Sequence, residues 1–304
     1  MLESFQHKQT REFFEKFSKQ WSKNAKEDYS DFVNTIKIRN DYVEKICKKF
    51  VKKNSKILDV GCGTGDLVIK LSKKGFDSEG VDFASSMIDV AKKDAKKHKI
   101  SEEKFSNKSF FEYTPKNKLD LISANGFIEY ISEKELEEFI NKSYNFLNKE
   151  GYLVFESRNR LFNCFSFNQY TEGEIEINEI SNLLRECILF NESDNLNKLL
   201  EEKFQSNIKN NLHKHEITNS KYATIKVDTR YQYTPMQLIS ILKKTGFEIL
   251  DIYPVHVHAI STGSKEILPK VHTSLSYYLL EQNQISLKLI PQCSSFMILA
   301  KKNG

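Results

Sequence analysis

The sequence contains no run of apolar residues near the ~18 to 20 that cross a bilayer. Its first residues also lack the basic start and apolar stretch of a signal peptide, so we expect a cytoplasmic protein without a membrane span. Glycine and proline are scarce, at 11 and 5 of 304 residues, and no internal repeat or low-complexity linker is evident. With 39% hydrophobic and 29% charged residues, the composition is typical of a polar globular protein of one large or two small domains.

Cysteine is scarce as well, and its spacing excludes two kinds of cross-link. The five cysteines are odd in number and never form a C-x-x-C pair, so the sequence indicates neither a disulfide framework nor a cysteine-bound zinc site. We expect reduced thiols at positions 47, 62, 164, 187 and 293.

Charge of one sign is not concentrated in any segment. The formal net charge of +5 arises from lysines spread along the chain. Even the pairs at 92–93 and 96–97 are more typical of a solvated helix face than of a nucleic-acid footprint. We therefore expect a small-molecule partner and no nucleic acid, while the sequence leaves the oligomeric state open.

The most informative segment that is present spans residues 57–67, where an apolar strand runs into a glycine-rich turn and then a helix. Gly61, Gly63 and Gly65 lack a Cβ, so their backbone can adopt positive φ and approach a bulky ligand. A helix beginning at about Thr64 points its free N–H groups toward that ligand. An ordinary βα turn needs fewer glycines, and the dinucleotide pattern G-x-G-x-x-G needs its third glycine one residue later.

This segment resembles the first motif of the class I S-adenosyl-L-methionine (SAM) methyltransferases, in which D-x-G-x-G-x-G follows an apolar strand. In that family the acid and the turn hold the methionine end of the cofactor, which here implies Asp59 and the glycines. Asp82 ends the second predicted strand, where an acid suits the ribose hydroxyls of a nucleotide-like ligand. The resemblance implies SAM as the cofactor and methyl transfer as the activity.

Further cofactor contacts follow from the same resemblance. Residues 125–131 resemble the loop beneath the cofactor sulfonium, and Phe110 stands where that family recognises the adenine. The aromatic stripe that includes Phe17 and Trp21 either roofs this site or packs in the core. The predicted cofactor residues are Asp59, Gly61, Cys62, Gly63, Gly65, Asp82, Phe83, Met87, Phe110 and Asn125.

Strands and helices alternate regularly after residue 57, which predicts an α/β fold with a parallel sheet and helices on both faces. With the resemblance, this becomes a Rossmann-like seven-stranded methyltransferase sheet with an inserted substrate lid. We expect cap helices and a SAM-binding core at 1–157 and the lid at 158–233. The rest of the core follows at 234–304, with a second insertion at 254–294 between the last two strands.

Methyl transfer requires a nucleophile aligned with the S–CH₃ bond and, for a hydroxyl acceptor, a general base. The predicted catalytic residues are His215, His256 and Glu129, although Tyr130 stands where the family often has a histidine. The predicted substrate contacts are Arg158, Arg160, His213, Arg230 and Tyr253.

The histidine pairs 213/215 and 256/258 could each supply two metal ligands. The sequence shows no third ligand at a convincing spacing, so no metal is expected. We predict methyl transfer to a small molecule, at a hydroxyl of a sugar or related metabolite. Bacterial enzymes that act on surface-glycan building blocks look similar around 158–171 and 229–235. An RNA or protein methyltransferase and a non-catalytic SAM-binding protein remain as alternatives.

Overall fold

The computed structural model describes residues 5–26, 32–205, 230–282 and 286–303. The predicted strands all form, within a few residues of their expected bounds. They are β1 (Lys56–Val60), β2 (Asp77–Asp82), β3 (Phe105–Asn107), β4 (Leu119–Ala124), β5 (Leu147–Arg158), β6 (Phe247–Pro254) and β7 (Ser295–Lys302).

The described helices lie before, between and after these strands. They are α1 (Phe5–Lys26), α2 (Thr35–Phe50), α3 (Asp66–Lys73), α4 (Ser85–Lys97), α5 (Glu133–Phe146), α6 (Gln169–Glu176), α7 (Ile180–Glu192), α8 (Leu196–Gln205), α9 (Pro235–Thr245), α10 (Ser264–Ile267) and α11 (Pro269–Leu280). Local chemistry fixes two of the starts. Ser132 and Glu135 form a capping box at α5, and Thr234 and Gln237 form another at α9. Among the described helices, none combines the length and apolarity needed to cross a membrane.

All seven strands join one sheet in the order β3-β2-β1-β4-β5-β7-β6. Neighbours from β3 to β5 pair in parallel, and β7 runs antiparallel to both β5 and β6. This confirms the Rossmann-like methyltransferase sheet, in which the last two strands form an antiparallel pair. Because the first five strands are parallel, their carboxyl ends meet at one edge, and the loops that follow them build the site there.

Apolar residues on alternate positions cover both faces of the sheet. Ile57 and Leu121 pack with α2 and α3, while the adjacent Leu58 and Ile122 pack with α5 and α9. The strands are therefore buried on both sides, as in other parallel sheets enclosed by helices.

Buried polar contacts hold together the two ends of the first insertion, which begins where β5 ends. Arg160 donates from Nε and Nη2 to the two carboxylate oxygens of Glu174, at 2.9 and 2.8 Å. Asn163 donates to Glu174 and to Gln232, both at 2.7 Å. Tyr233 in turn bridges to the residue after β5. These contacts join the start of the first insertion to its last described residues. The role of that insertion as a substrate lid stays a prediction.

Candidate functional site

A cleft opens at the carboxyl ends of β1, β2 and β4 and is closed on one side by α1. Its empty volume is about 700 Å³ including the part open to solvent. The residues that line it are Thr10, Phe14, Trp21, Gly61, Gly63, Val81, Asp82, Phe83, Met87, Lys108, Ser109, Phe110, Phe111, Asn125, Gly126, Phe127, Tyr130 and Ile131. The structure thus brings seven of the predicted cofactor residues to one cleft: Gly61, Gly63, Asp82, Phe83, Met87, Phe110 and Asn125.

The glycine turn is held against the end of β2. The amides of Gly61 and Cys62 both donate to the carbonyl of Val81, at 2.9 and 3.2 Å. Gly63 has a φ of +51°, and its amide donates to Oδ2 of Asp82 at 2.9 Å. The turn therefore presents bare backbone to the cleft at Gly61 and Gly63.

Asp82 joins the glycine turn to the start of α4. Its second oxygen, Oδ1, accepts from the amide of Ala84 at 2.9 Å. Burial raises the pKa of Asp82 to about 6, against the opposing effect of the Ala84 and Gly63 amides. At pH 7 the side chain is mainly a carboxylate, and each oxygen keeps a lone pair for a hydroxyl donor in the cleft.

Two side chains in the cleft have buried polar atoms that nothing in the described residues satisfies. These atoms are Oδ1 and Nδ2 of Asn125 and Oγ1 of Thr10. Buried polar groups are nearly always paired, so such atoms at a cleft wall mark where a polar ligand binds. Unpaired amide and hydroxyl groups, bare glycine backbone and an apolar wall fit a cofactor like SAM, which carries polar ends on an apolar linkage.

Helix α1 forms one wall of the cleft. The sequence left open whether its aromatic stripe roofs the site or packs in the core. Phe14 and Trp21 line the cleft, whereas Phe17 is exposed and stacks on Phe13 at 4.4 Å. Glu15, on the same helix, accepts from the Ser85 and Ser86 amides at 2.6 and 2.9 Å and so caps α4. A carboxylate at the first turn of a helix also interacts favourably with its dipole.

Three predicted cofactor residues support the cleft without lining it. Asp59 lies beneath the turn, where its carboxyl accepts from Ser123 Oγ; burial, together with Asp82, raises its pKa to about 7. Cys62 packs in an apolar cluster against α3 and α4. At Gly65 a Cβ would lie 2.6 Å from Phe105, so glycine is needed there for packing. These three residues therefore lie behind the cleft wall, and their direct contact with the cofactor stays a prediction.

Charged groups gather beside Tyr130, at the end of the cleft. Glu129 is buried and accepts from Nε and Nη2 of Arg230 at 3.2 and 2.6 Å. The Arg230 guanidinium lies 5.5 Å from the centre of the Tyr130 ring. Arg158 approaches Glu129 only to 3.8 Å, and its buried Nε has no hydrogen-bond partner in the described ranges. Because Glu129 is bound by two arginines, it is poorly placed to act as a free base.

The remaining predicted residues lie away from this cleft or outside the residues that the structure describes. Arg160 is fully buried in its pair with Glu174, so its expected place at the pocket mouth is wrong. Tyr253 packs on Tyr42 at 5.0 Å, because β6 turns that side chain toward α2. His256 lies beyond β6 beside His258. His213 and His215 lie outside the described residues, so their roles stay predictions.

The cleft residues that the sequence did not mark as cofactor contacts are Thr10, Phe14, Val81, Lys108, Ser109 and Phe111. The loop 125–131, expected beneath the sulfonium, does supply the rest of that wall. Those in β2 and on the loop after β3 adjoin predicted residues, so the sheet-edge rule could have found them. Those on α1 depend on how that helix docks, for which the helical apolar stripe was the sole signal.

Comparison with known proteins agrees with this geometry. The model of a family described as "Methyltransferase domain" matches residues 51–229. The chain is 28% identical over 144 residues to a methyltransferase of Geobacillus sp. (strain WCH70), which is 46% of this chain and 58% of that relative. It is 31% identical over 166 residues to the ubiquinone biosynthesis O-methyltransferase of Pelagibacter ubique (strain HTCC1062), covering 50% of this chain and 67% of the relative.

A solved structure shares the fold over nearly its whole length. The magnesium protoporphyrin IX methyltransferase from Synechocystis PCC 6803 with bound SAH superposes with a TM-score of 0.55 at 12% identity, covering 96% of this chain and 97% of that one. The curated relatives, in contrast, are spanned for only about half to two thirds of their length.

Proposed function

This chain belongs to the family of proteins with a methyltransferase domain. We propose that it is a SAM-dependent methyltransferase and that it methylates a hydroxyl oxygen of a small molecule. The acceptor class that we propose is a sugar or related metabolite that carries an acidic group.

The under-paired guanidinium of Arg158 carries this proposal. Burial and the neighbouring Arg230 lower the pKa of Arg158, and its Nε lacks a partner within the described residues. Both facts mean that an added anion beside it is favourable, because an anion offers the missing acceptor and offsets the repulsion between the two arginines. A carboxylate or phosphate on the acceptor meets this need.

The cofactor supplies an electrophilic methyl group on a sulfonium. The protein then has to orient the acceptor and exclude water. In this proposal Gly61, Gly63 and Asn125 hold the cofactor at the sheet edge, and Asp82 binds its ribose. Phe14 and Trp21 of α1 exclude water on the open side, and Arg158 orients the acceptor through its acidic group.

The proton of the acceptor hydroxyl needs a base, and the three predicted candidates are not equivalent. The carboxylate of Glu129 is occupied by its arginine partners, and His256 lies outside the cleft lining. We therefore assign the base to His215, from the segment outside the described residues. A His215→Ala variant tests this assignment, because it should lower kcat strongly and leave SAM affinity unchanged. An unchanged kcat would contradict it.

The acceptor class is tested with an extract of bacterial metabolites incubated with enzyme and an equal mixture of SAM and methyl-deuterated SAM. A methylated product appears in mass spectrometry as paired peaks that differ by the mass of the label. We expect the pairs among small anionic species, and an Arg158→Met variant should raise the KM for that acceptor without changing SAM affinity.

Three results of the same experiment would contradict the proposed function. Label found in RNA or protein retained above a molecular-weight filter would replace the small-molecule proposal. SAM binding without any labelled product would favour a non-catalytic binding protein. A neutral labelled product whose KM is unaffected by Arg158→Met would remove the acidic group from the proposal.

A further inference from the structure

Three histidines meet in the second insertion, at a place that the proposed reaction does not use. His256 and His258 follow β6, and His272 lies in the first half of α11. The ring centres are 4.3 Å apart for His256 and His258, 5.2 Å for His258 and His272, and 5.9 Å for His256 and His272. Each ring offers one nitrogen within 4.8 Å of those from the other two.

The backbone fixes these side chains in place. Residues 256–258 pair with the segment before β7, through His258 N to Gln292 O and Ser294 N to His256 O, both at 2.9 Å. Residues two apart on an extended segment point to the same side, which brings both imidazoles together. Ser276 Oγ donates to the carbonyl of Val257 at 2.6 Å. Because His272 precedes Ser276 by one helical turn, it faces the same segment.

The hydrogen bonds leave ligand atoms free. Nε2 of His258 lies 3.0 Å from Ser294 Oγ, and its Nδ1 is buried without a partner in the described ranges. Neither nitrogen of His272 has a partner within the same residues. The two side chains are only 9% and 4% exposed. Buried nitrogens of this kind require either a hydrogen-bonding molecule or a metal ion.

We propose that His256, His258 and His272 bind a divalent transition-metal ion, with Zn²⁺ as the ion that best suits three imidazoles. Three atoms within 4.8 Å of one another share a point about 2.8 Å or less from each. Small side-chain rotations bring this to the ~2.0 to 2.1 Å of a Zn–N bond. In the metal-bound form His258 donates from Nε2–H to the Ser294 hydroxyl, which leaves the Nδ1 lone pair for the ion, as outer partners do at other metal sites.

The surrounding charges define the fourth ligand. Lys265 and Arg158 lie near the cluster, and Glu266 lies near Lys265. The two cations disfavour an additional bare dication. A hydroxide or an acidic ligand at the open position reduces that repulsion, so the site takes three protein ligands and one anionic ligand.

The experiment uses the full chain without a histidine tag, freed of metal by dialysis against a chelator. Zn²⁺ is titrated in competition with a chromophoric chelator, and the metal content of the protein as purified is measured by plasma mass spectrometry. We expect one equivalent of zinc and a raised melting temperature on adding it. His272→Ala should weaken zinc binding at least 100-fold.

Matched variants separate loss of the site from loss of the fold. His272→Cys replaces one zinc ligand by another and should retain binding within about tenfold. His98→Ala, which removes a histidine at the end of α4, should leave zinc binding unchanged. SAM affinity should be the same in all of them, which makes failure here distinguishable from failure of the proposed methyl transfer.

Three results would overturn the proposal. They are less than half an equivalent of zinc at saturation, equal zinc affinity in His272→Ala and wild type, and stabilisation by inorganic phosphate where zinc has no effect. The last would assign the cluster to an anion held with Lys265 and Arg158.

Discussion

Replacing Asp82 by asparagine tests whether this side chain joins the glycine turn to the cofactor. The carboxylate accepts from the amides of Gly63 and Ala84 at 2.9 Å each. The substituted amide would keep one oxygen and turn an N–H₂ group toward the other donor. A hydrogen bond to a charged group contributes ~1.5 to 3 kcal/mol, and the ribose hydroxyls lose an acceptor as well. We therefore expect SAM and its product SAH to bind about 10- to 150-fold more weakly to Asp82→Asn.

Asp82→Asn should affect the free energy of unfolding differently from the affinity for SAM. The ionised Asp82 is buried and carries a raised pKa of about 6, so its charge opposes folding at neutral pH. Asp82→Asn should therefore lose affinity without a comparable loss of unfolding free energy, as measured by urea denaturation. Calorimetric titration with SAH gives the affinity, and Asp89→Asn on the exposed side of α4 is the control.

Lowering the pH should weaken SAH binding to the wild-type protein in the same way as Asp82→Asn does. As pH falls through about 6, Asp82 becomes protonated and loses acceptor capacity, so SAH affinity should fall with it. The affinity of Asp82→Asn should stay flat over that range. Affinity within threefold of wild type at pH 7.5, or a pH profile shared by both proteins, would refute the ribose contact and the reasoning behind it.

The sheet could be predicted from sequence because its determinants are local. Apolar runs ended by turns locate the strands to within a few residues, and alternating strands and helices imply parallel pairing. β3 is the shortest of the described strands and ends at Asn107, although Phe110 and Phe111 follow. There the amide of Lys108 donates back to the carbonyl of Ser106 at 3.2 Å, a tight turn that the sequence pattern does not reveal.

Site residues at the carboxyl edge of the sheet could be predicted from the sequence. Site residues whose position depends on how helices pack against the sheet could not. Arg158 and Arg160 are two residues apart, so on one continuous strand their side chains would point to the same face of the sheet. The strand ends at Arg158, however, and a 3-10 helix begins at Arg160 and carries that side chain to Glu174. His272 shows the same limit. It joins the histidine pair only through the packing of α11, which the spacing along the sequence does not show.

Two further predictions concern carboxylates that frame the cleft. Glu15→Gln removes the charge that caps α4, so α1 should become more sensitive to proteolysis and SAM affinity should fall about fivefold. Glu12→Gln on the exposed side of α1 is the control, and equal proteolysis of both variants would contradict a docking role. Asp59→Asn should instead stabilise the protein. Burial, with Asp82, raises the pKa of Asp59 to about 7, so between about pH 4 and 7 the folded chain holds a proton that the unfolded chain has released. Stability must then fall as pH rises through that window, because rising pH favours the unfolded chain, which has released the proton. The amide introduced by this substitution keeps an oxygen for the Ser123 hydroxyl and cannot ionise. We expect a gain of ~1 to 4 kcal/mol in unfolding free energy at pH 8 that largely disappears at pH 5. Urea denaturation at both pH values measures it, with Asp89→Asn as reference. A gain of the same size at both pH values would show that ionisation of Asp59 is not its cause.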